Sequence, residues 1–252
     1  MTSPKRPHSR ARRIITITLL SLVGLLVVGG VGIVIWSQVG VMDAEAGPLA
    51  PVNQDDRVVV SDAGGNVVMS PSSGESTVGL VFIPGAKVDA EAYEAKLAGL
   101  VTEDGMTVVI TRPWLNLAFF DPRPLSTFTD AVPGIDTWLV GGHSLGGVRA
   151  CQLAPDADGL VLFASYCAND LSESGLPTLS ISGSEDGLST PKKVQDARSL
   201  LPADAQFVEI PGASHASFGD YGPQAGDGTA TIDDADMTAE ITASVAELLP
   251  RL

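Results

Sequence analysis

The sequence predicts an α/β protein with a mostly parallel central sheet, helices on both faces of that sheet, and one transmembrane helix in front of it. From residue 55 onward, short runs rich in Val, Ile and Leu alternate with helical stretches. This alternation is typical of parallel strands that are buried on both faces. Residues 14–36 contain no charged side chain, and a helix of those 23 residues is long enough to cross about 30 Å of hydrocarbon.

The charge of the chain is divided between a basic tail and an acidic remainder. Five of the 15 basic residues lie within residues 1–13, which contain no acid, so that ten cations face 30 acids in the rest. An acidic surface of this kind repels phosphates, which excludes nucleic acid as a partner. Because cations collect on the cytoplasmic side of a span, we expect the N-terminus in the cytoplasm and the larger part outside the cell membrane.

These patterns predict four segments. Residues 1–13 form a cytoplasmic tail, 14–36 a transmembrane helix, 37–54 a linker containing three breakers (Gly47, Pro48 and Pro51), and 55–252 a globular domain. The apolar segment is longer than the roughly 7–15 residues of a signal peptide, which favours retention, although Ala44-Glu45-Ala46 is a possible cleavage site. Arg12-Arg13 also fits a twin-arginine export signal, but paired arginines are ordinary orientation charges.

The domain itself begins with a predicted hairpin and continues with alternating elements. The hairpin pairs residues 58–60 with 67–69 around a glycine turn. The six further strands are predicted at 79–83, 107–111, 138–141, 160–164, 178–182 and 207–210. The helices are predicted at 90–101, 145–153, 192–201 and 235–249.

A nucleophile is predicted where one strand turns directly into a helix. Gly142-His143-Ser144-Leu145-Gly146 follows strand 138–141 and precedes helix 145–153. A serine on such a turn has a strained backbone and projects its hydroxyl above the sheet. The N–H groups that open the helix favour a developing oxyanion.

The nucleophile needs a general base, and the chain contains three histidines. His8 lies in the tail, and we expect the side chain of His143 to point away from Ser144. His215 follows the last predicted strand and is the candidate base.

A carboxylate must orient that base, and Asp186 follows strand 178–182. Glu185 and Asp170 remain alternatives. The chain order Ser144, Asp186, His215 is one of the known triad orders.

On these residues the sequence resembles the α/β-hydrolase family, in particular its compact bacterial dienelactone-hydrolase-like and esterase-like members. The resemblance runs from about Leu80 to the C-terminus. It implies an α/β-hydrolase fold and acyl transfer, with oxyanion N–H groups from Leu145 and from Ala86 or, as the alternative, Lys87. The motifs that carry it are Phe82-Ile83-Pro84-Gly85, Gly142-His143-Ser144-Leu145-Gly146-Gly147, Ser182-Gly183-Ser184-Glu185-Asp186-Gly187 and His215.

The chain departs from that family in two respects. The dienelactone branch has a cysteine nucleophile, whereas this chain has Ser144. The segment between Ala164 and Pro177 is too short for the helical lid of many relatives. We therefore expect a lidless serine hydrolase of small esters or lactones, anchored in the membrane, that requires no metal, organic cofactor or obligate protein partner.

Two alternatives stay open from the sequence. The same fold can serve as an anchored binding or scaffold module without turnover. The two cysteines can pair only if their Cα atoms come within about 7 Å. Cys151 should lie about 10 Å down the helix that follows Ser144, and Cys167 beyond the upper end of a strand, so the sequence argues against a disulfide.

Overall fold

The computed structural model describes residues 8–252, which fall into two compact units, up to Gly40 and from Val41 to the C-terminus. Part of the predicted cytoplasmic tail, residues 1–7, lies outside the described residues. The first unit is the helix α1 (His8–Gln38). Its stretch Arg12–Gln38 is long and apolar enough to cross a membrane.

The second unit is built on one sheet of eight strands in the order β1-β2-β4-β3-β5-β6-β7-β8. Strand β2 is antiparallel to β1 and to β4, and all other neighbouring strands are parallel. The strands are β1 (Val58–Ala63), β2 (Asn66–Pro71), β3 (Val78–Ile83), β4 (Thr107–Ile110), β5 (Thr137–His143), β6 (Gly159–Phe163), β7 (Thr178–Gly183) and β8 (Gln206–Ile210).

Helices cover both faces of this sheet, as predicted. The apolar side chains of α3 and α7 lie in one core with Leu80 and Phe82, and those of α5 lie in the other with Val81 and Val140. Alternate residues of β3 thus face opposite cores, as the period of a strand requires. The helices are α2 (Ala46–Gln54), α3 (Glu94–Thr102), α4 (Ser126–Thr129), α5 (Leu145–Leu153), α6 (Pro191–Asp196) and α7 (Asp234–Ala246).

The predicted hairpin, all six further strands and the four helical regions are present, but three helices differ in extent. The helix predicted at 90–101 starts as a 3-10 turn, Ala90–Tyr93, before α3. Those predicted at 192–201 and 235–249 end their α-helical part at Asp196 and Ala246. The side chain of Thr190 accepts a hydrogen bond from the Lys193 N–H and so caps α6.

The linker predicted over residues 37–54 is wrong for residues 41–54. Residue Met42 pairs with the loop after β3, accepting from the Asp89 N–H at 3.0 Å and donating to the Lys87 carbonyl at 2.7 Å. Helix α2 follows and buries Val52 in the core. The sequence does not reveal this packing of residues 41–54, because a short helix with one buried apolar residue shows no hydrophobic periodicity.

The structure decides the cysteine pairing that the sequence leaves open, because Cys151 and Cys167 are bonded with their Cα atoms 5.5 Å apart. After β6 the chain turns back along α5 instead of continuing above the sheet. The Asn169 side chain donates to the Cys151 carbonyl at 3.1 Å on this path. Both cysteines are buried in the core on the α5 side of the sheet.

Candidate active site

The turn between β5 and α5 holds Ser144 in a strained conformation. Its φ of 53° and ψ of −119° are unusual for a residue with a side chain, and such strain costs about 1–3 kcal/mol. Two hydrogen bonds hold it: the Ser144 N–H donates to Phe163 O at 3.0 Å, and Ser165 Oγ donates to Ser144 O at 2.7 Å. Ser144 itself is half-buried.

The glycines on either side of Ser144 allow this turn to pack closely. A Cβ at Gly146 would lie 2.0 Å from the carbonyl oxygen of Ile83, and a Cβ at Gly142 would lie 2.7 Å from the same atom. Both are backbone contacts, which cannot move aside as a side chain can. The two glycines therefore bring the serine turn against the end of β3.

His215 and Asp186 form a buried pair. His215 Nδ1 lies 2.9 Å from Asp186 Oδ2, and the two residues are 1 % and 3 % exposed. Asp186 Oδ1 accepts the N–H groups of Leu188 and Ser189, each at 2.7 Å. Because an ionised carboxylate only accepts hydrogen bonds, His215 carries its proton on Nδ1 and has Nε2 available as a base.

The two alternative acids lie elsewhere. Glu185 is exposed and accepts from the neighbouring Ser184 hydroxyl at 3.1 Å. Asp170 is also exposed, and its hydrogen bonds from Ser172 hold the pKa of its carboxyl below the ordinary value. Of the three candidates, Asp186 is the one paired with His215.

The loop that carries His215 lies directly beside the turn that carries Ser144. The ring centroid of His215 is 4.5 Å from that of His143, the residue before Ser144. Within the described part of the chain, Ser144 and His215 are not joined by a hydrogen bond of 3.5 Å or less, a contact that often tightens only when substrate binds. The structure thus pairs His215 with Asp186 and places the turn that carries Ser144 beside this pair.

The two backbone N–H groups expected to bind an oxyanion, those of Ala86 and Leu145, form no hydrogen bond among the described residues. Both residues are half-buried. The Lys87 N–H, by contrast, donates to the Asn116 carbonyl at 2.8 Å. Of the two alternatives in this loop, Ala86 is therefore the one with a free donor.

The sequence profile of the alpha/beta hydrolase family matches residues 79–239, more than half of the chain. The chain belongs to the alpha/beta-hydrolase family. The matched region begins in β3, ends in α7 and contains all five candidate site residues. No curated protein matches the chain closely enough to count as a relative. Family membership supports a hydrolase-type function.

This alpha/beta hydrolase also contains a buried network that sequence reasoning missed. The Tyr93 hydroxyl accepts the Gly85 N–H at 2.9 Å and lies 2.9 Å from His143 Nδ1. The Tyr93 hydroxyl and His143 Nδ1 are hydrogen-bond partners in either tautomer of the neutral imidazole. The contact joins the residue before Ala86 to the residue before Ser144. No local pattern indicates it, because Tyr93 and His143 are 50 positions apart.

Burial keeps this network uncharged. Burial, together with the nearby His215 imidazole, lowers the pKa of His143 well below its ordinary value. Burial likewise raises the pKa of the Tyr93 phenol. The ring of His143, expected to point away from Ser144, is thus a neutral member of an aromatic cluster beneath the serine turn, with Tyr93, His215, Phe218 and Tyr221 around it.

Proposed function

We propose that this alpha/beta hydrolase is a serine hydrolase that cleaves small esters or lactones. Ser144 is the nucleophile, His215 the general base and Asp186 the residue that orients the base. The observation that carries the proposal is the buried 2.9 Å pair of His215 and Asp186 beside the strained turn at Ser144.

The proposed reaction is acyl transfer in two stages. Ser144 Oγ attacks the substrate carbonyl while its proton passes to His215 Nε2, and the Asp186 carboxylate stabilises the resulting imidazolium. The Ala86 and Leu145 N–H groups donate to the oxyanion of the tetrahedral intermediate. As this intermediate collapses, the ester bond breaks and the alcohol leaves with the proton from His215.

Water resolves the acyl-enzyme by the reverse proton path. His215 removes a proton from the water as its oxygen attacks the acyl carbonyl, and returns that proton to Ser144 Oγ when the acid is released. This scheme uses side chains and backbone N–H groups alone and requires no metal or organic cofactor.

The surroundings of the site favour small, neutral or cationic substrates with an apolar part. The acidic remainder of the chain disfavours anionic substrates. Trp114 and Phe119 are exposed in the loop after β4, at the edge of the sheet where open α/β folds bind ligands. Residues 164–177 connect β6 to β7 without a helix, so no helical lid forms there.

We further propose that α1 crosses the cell membrane with its N-terminus in the cytoplasm. The five early cations support this orientation, and so does the Cys151–Cys167 disulfide, since disulfides persist in oxidising compartments. In intact cells, an added protease should digest the part from residue 41 onward and leave an N-terminal tag protected. Protection of residues 41–252 would contradict this orientation.

A fluorophosphonate probe tests the enzyme proposal, because it reacts covalently with an activated serine. The full-length chain in detergent micelles should be labelled, with and without a chelator, and Ser144→Ala should lose the label. Ser199→Ala, which alters an exposed serine far from the candidate pair, is the matched control and should label normally. Absence of labelling in the folded wild type would refute the proposal and favour a binding or scaffold module without turnover.

A further inference from the structure

The carboxylate of Asp227 accepts several backbone hydrogen bonds. It lies in the loop before α7 and is half-buried. Four backbone N–H groups donate to it. Oδ1 accepts the N–H groups of Gly187 at 3.0 Å, His215 at 3.0 Å and Gly228 at 2.7 Å. Oδ2 accepts the N–H group of Ala216 at 2.8 Å.

Three of these four donors, Gly187, His215 and Ala216, belong to the two loops that carry Asp186 and His215. Gly187 directly follows Asp186, and one of the other donors is the backbone of His215 itself. His215 and Asp186 are 29 positions apart in the chain, and their loops also contact each other directly, since the Glu185 N–H donates to the Ala213 carbonyl at 2.9 Å. Asp227 joins them through one side chain.

The backbone around Asp227 is packed against the acid loop so tightly that side chains are excluded. A Cβ at Gly228 would lie 1.8 Å from the carbonyl oxygen of Glu185. A Cβ at Gly187 would lie 2.8 Å from the carbonyl oxygen of Gly226. Gly228 and Gly187 thus let the Asp227 loop contact the Asp186 loop directly, which places the Asp227 carboxylate beside its backbone donors.

We propose that Asp227 is a positioning residue that holds the His215 and Asp186 loops at the separation required by their imidazole–carboxylate hydrogen bond. This proposal rests on the proposed function, in which that bond orients the general base. Asp227 acts through the two loops and touches no reacting atom.

The charge of Asp227 suits this role. Burial raises the pKa of its carboxyl, but the four backbone hydrogen bonds outweigh burial and lower the pKa below the ordinary value. The residue is therefore an anion at neutral pH, and hydrogen bonds to an anion are about twice as strong as those between neutral groups.

The experiment compares Asp227→Ala, which removes all four acceptor contacts, with Asp227→Asn, which keeps one oxygen but loses the charge. Asp233→Ala is the matched control, because Asp233 also accepts a backbone N–H, that of Asp236 at 2.8 Å, but caps α7 instead. Two quantities are measured on the full-length protein in micelles: the downfield proton resonance of His215 Nδ1, assigned by its loss in His215→Gln, and the rate of fluorophosphonate labelling.

Asp227→Ala should shift or abolish the His215 resonance and slow labelling by about 10- to 100-fold, the loss expected for a misplaced catalytic group. Asp227→Asn should show a smaller loss. Asp233→Ala should leave both quantities unchanged, although its α7 is less stable.

A folded Asp227→Ala protein with the wild-type resonance and labelling rate would overturn the proposal, even if it unfolds at a lower temperature. If that variant does not fold, Asp227→Asn is judged by the same two measurements. If the wild type is not labelled at all, the proposed function fails, but the His215 resonance still decides whether Asp227 positions the pair.

Discussion

Replacing Tyr93 with Phe removes a single oxygen from the network beneath the serine turn. That oxygen accepts the Gly85 N–H and is hydrogen-bonded to His143 Nδ1, and Tyr93 is fully buried. The substitution keeps the aromatic ring but leaves two buried polar groups, the Gly85 N–H and His143 Nδ1, without a partner. Each buried polar group left unsatisfied costs about 1–3 kcal/mol, so for two such groups we expect a loss of about 2–6 kcal/mol in the free energy of unfolding.

Tyr221→Phe is the matched control. The Tyr221 hydroxyl donates to the Gln224 side chain at 3.1 Å, and Gln224 is half-buried and can bond to water instead. Its loss should cost about 1 kcal/mol or less. Both variants are compared with the wild type by urea denaturation of the full-length protein in micelles, followed by tryptophan fluorescence.

The same substitution should also slow fluorophosphonate labelling, because Gly85 directly precedes the Ala86 N–H that we assign to the oxyanion. Tyr221→Phe should label at the wild-type rate. If Tyr93→Phe is no less stable than Tyr221→Phe, the Tyr93 network does not stabilise the protein and the reasoning is refuted.

Three other features predict changes in stability. Burial raises the pKa of Glu94 from its ordinary value of 4.5 to about 7. Between pH 4.5 and 7 the unfolded chain has released the Glu94 proton, whereas the folded chain still holds it. The free energy of unfolding therefore falls as the pH rises through that range. Glu94→Gln should therefore gain about 1–3 kcal/mol at pH 8 and little at pH 4 in urea denaturation, and an equal gain at both pH values would argue against a shifted pKa. Lys96→Met leaves Asp220, which is 5 % exposed, without its ion-pair partner at 2.6 Å, and should lower the free energy of unfolding by about 3–5 kcal/mol. Adding Asp220→Asn should restore part of this loss. No recovery in the double variant would contradict the pairing. Replacing Cys151 and Cys167 with Ala opens a link across 16 positions and should cost about 3 kcal/mol in thermal unfolding, whereas an unchanged midpoint would show that the disulfide adds no stability.

Much of the fold can be predicted from the sequence because its signals are local. Strands β3 to β6 are short runs dominated by apolar residues, and the glycines at 142 and 146 mark the turn around Ser144 in five consecutive positions. His215 is predicted as the general base by elimination among three histidines. Asp186 is predicted as its partner because it follows the end of a strand. The pairing of these two side chains is then a consequence of parallel strands whose ends meet at one edge of the sheet.

The rest depends on segments that meet only in the folded chain. The disulfide forms because the segment after β6 turns back along α5, and helix α2 joins the core through few apolar residues. Tyr93 reaches His143 across 50 positions, and Asp227 reaches Gly187 across 40. A single tyrosine or aspartate in a loop has no neighbours in the sequence that reveal such a partner.

The sequence by itself therefore determined the alternation of strands and helices, the apolar N-terminal helix and the candidate triad, since each follows from hydrophobic periodicity or from a short motif. Only the tertiary structure decided which backbone N–H groups stay free for an oxyanion, which cysteines pair and which buried side chains hold the candidate site together. The physical reason is that burial and hydrogen-bond satisfaction belong to the packed chain, where residues far apart in sequence become neighbours.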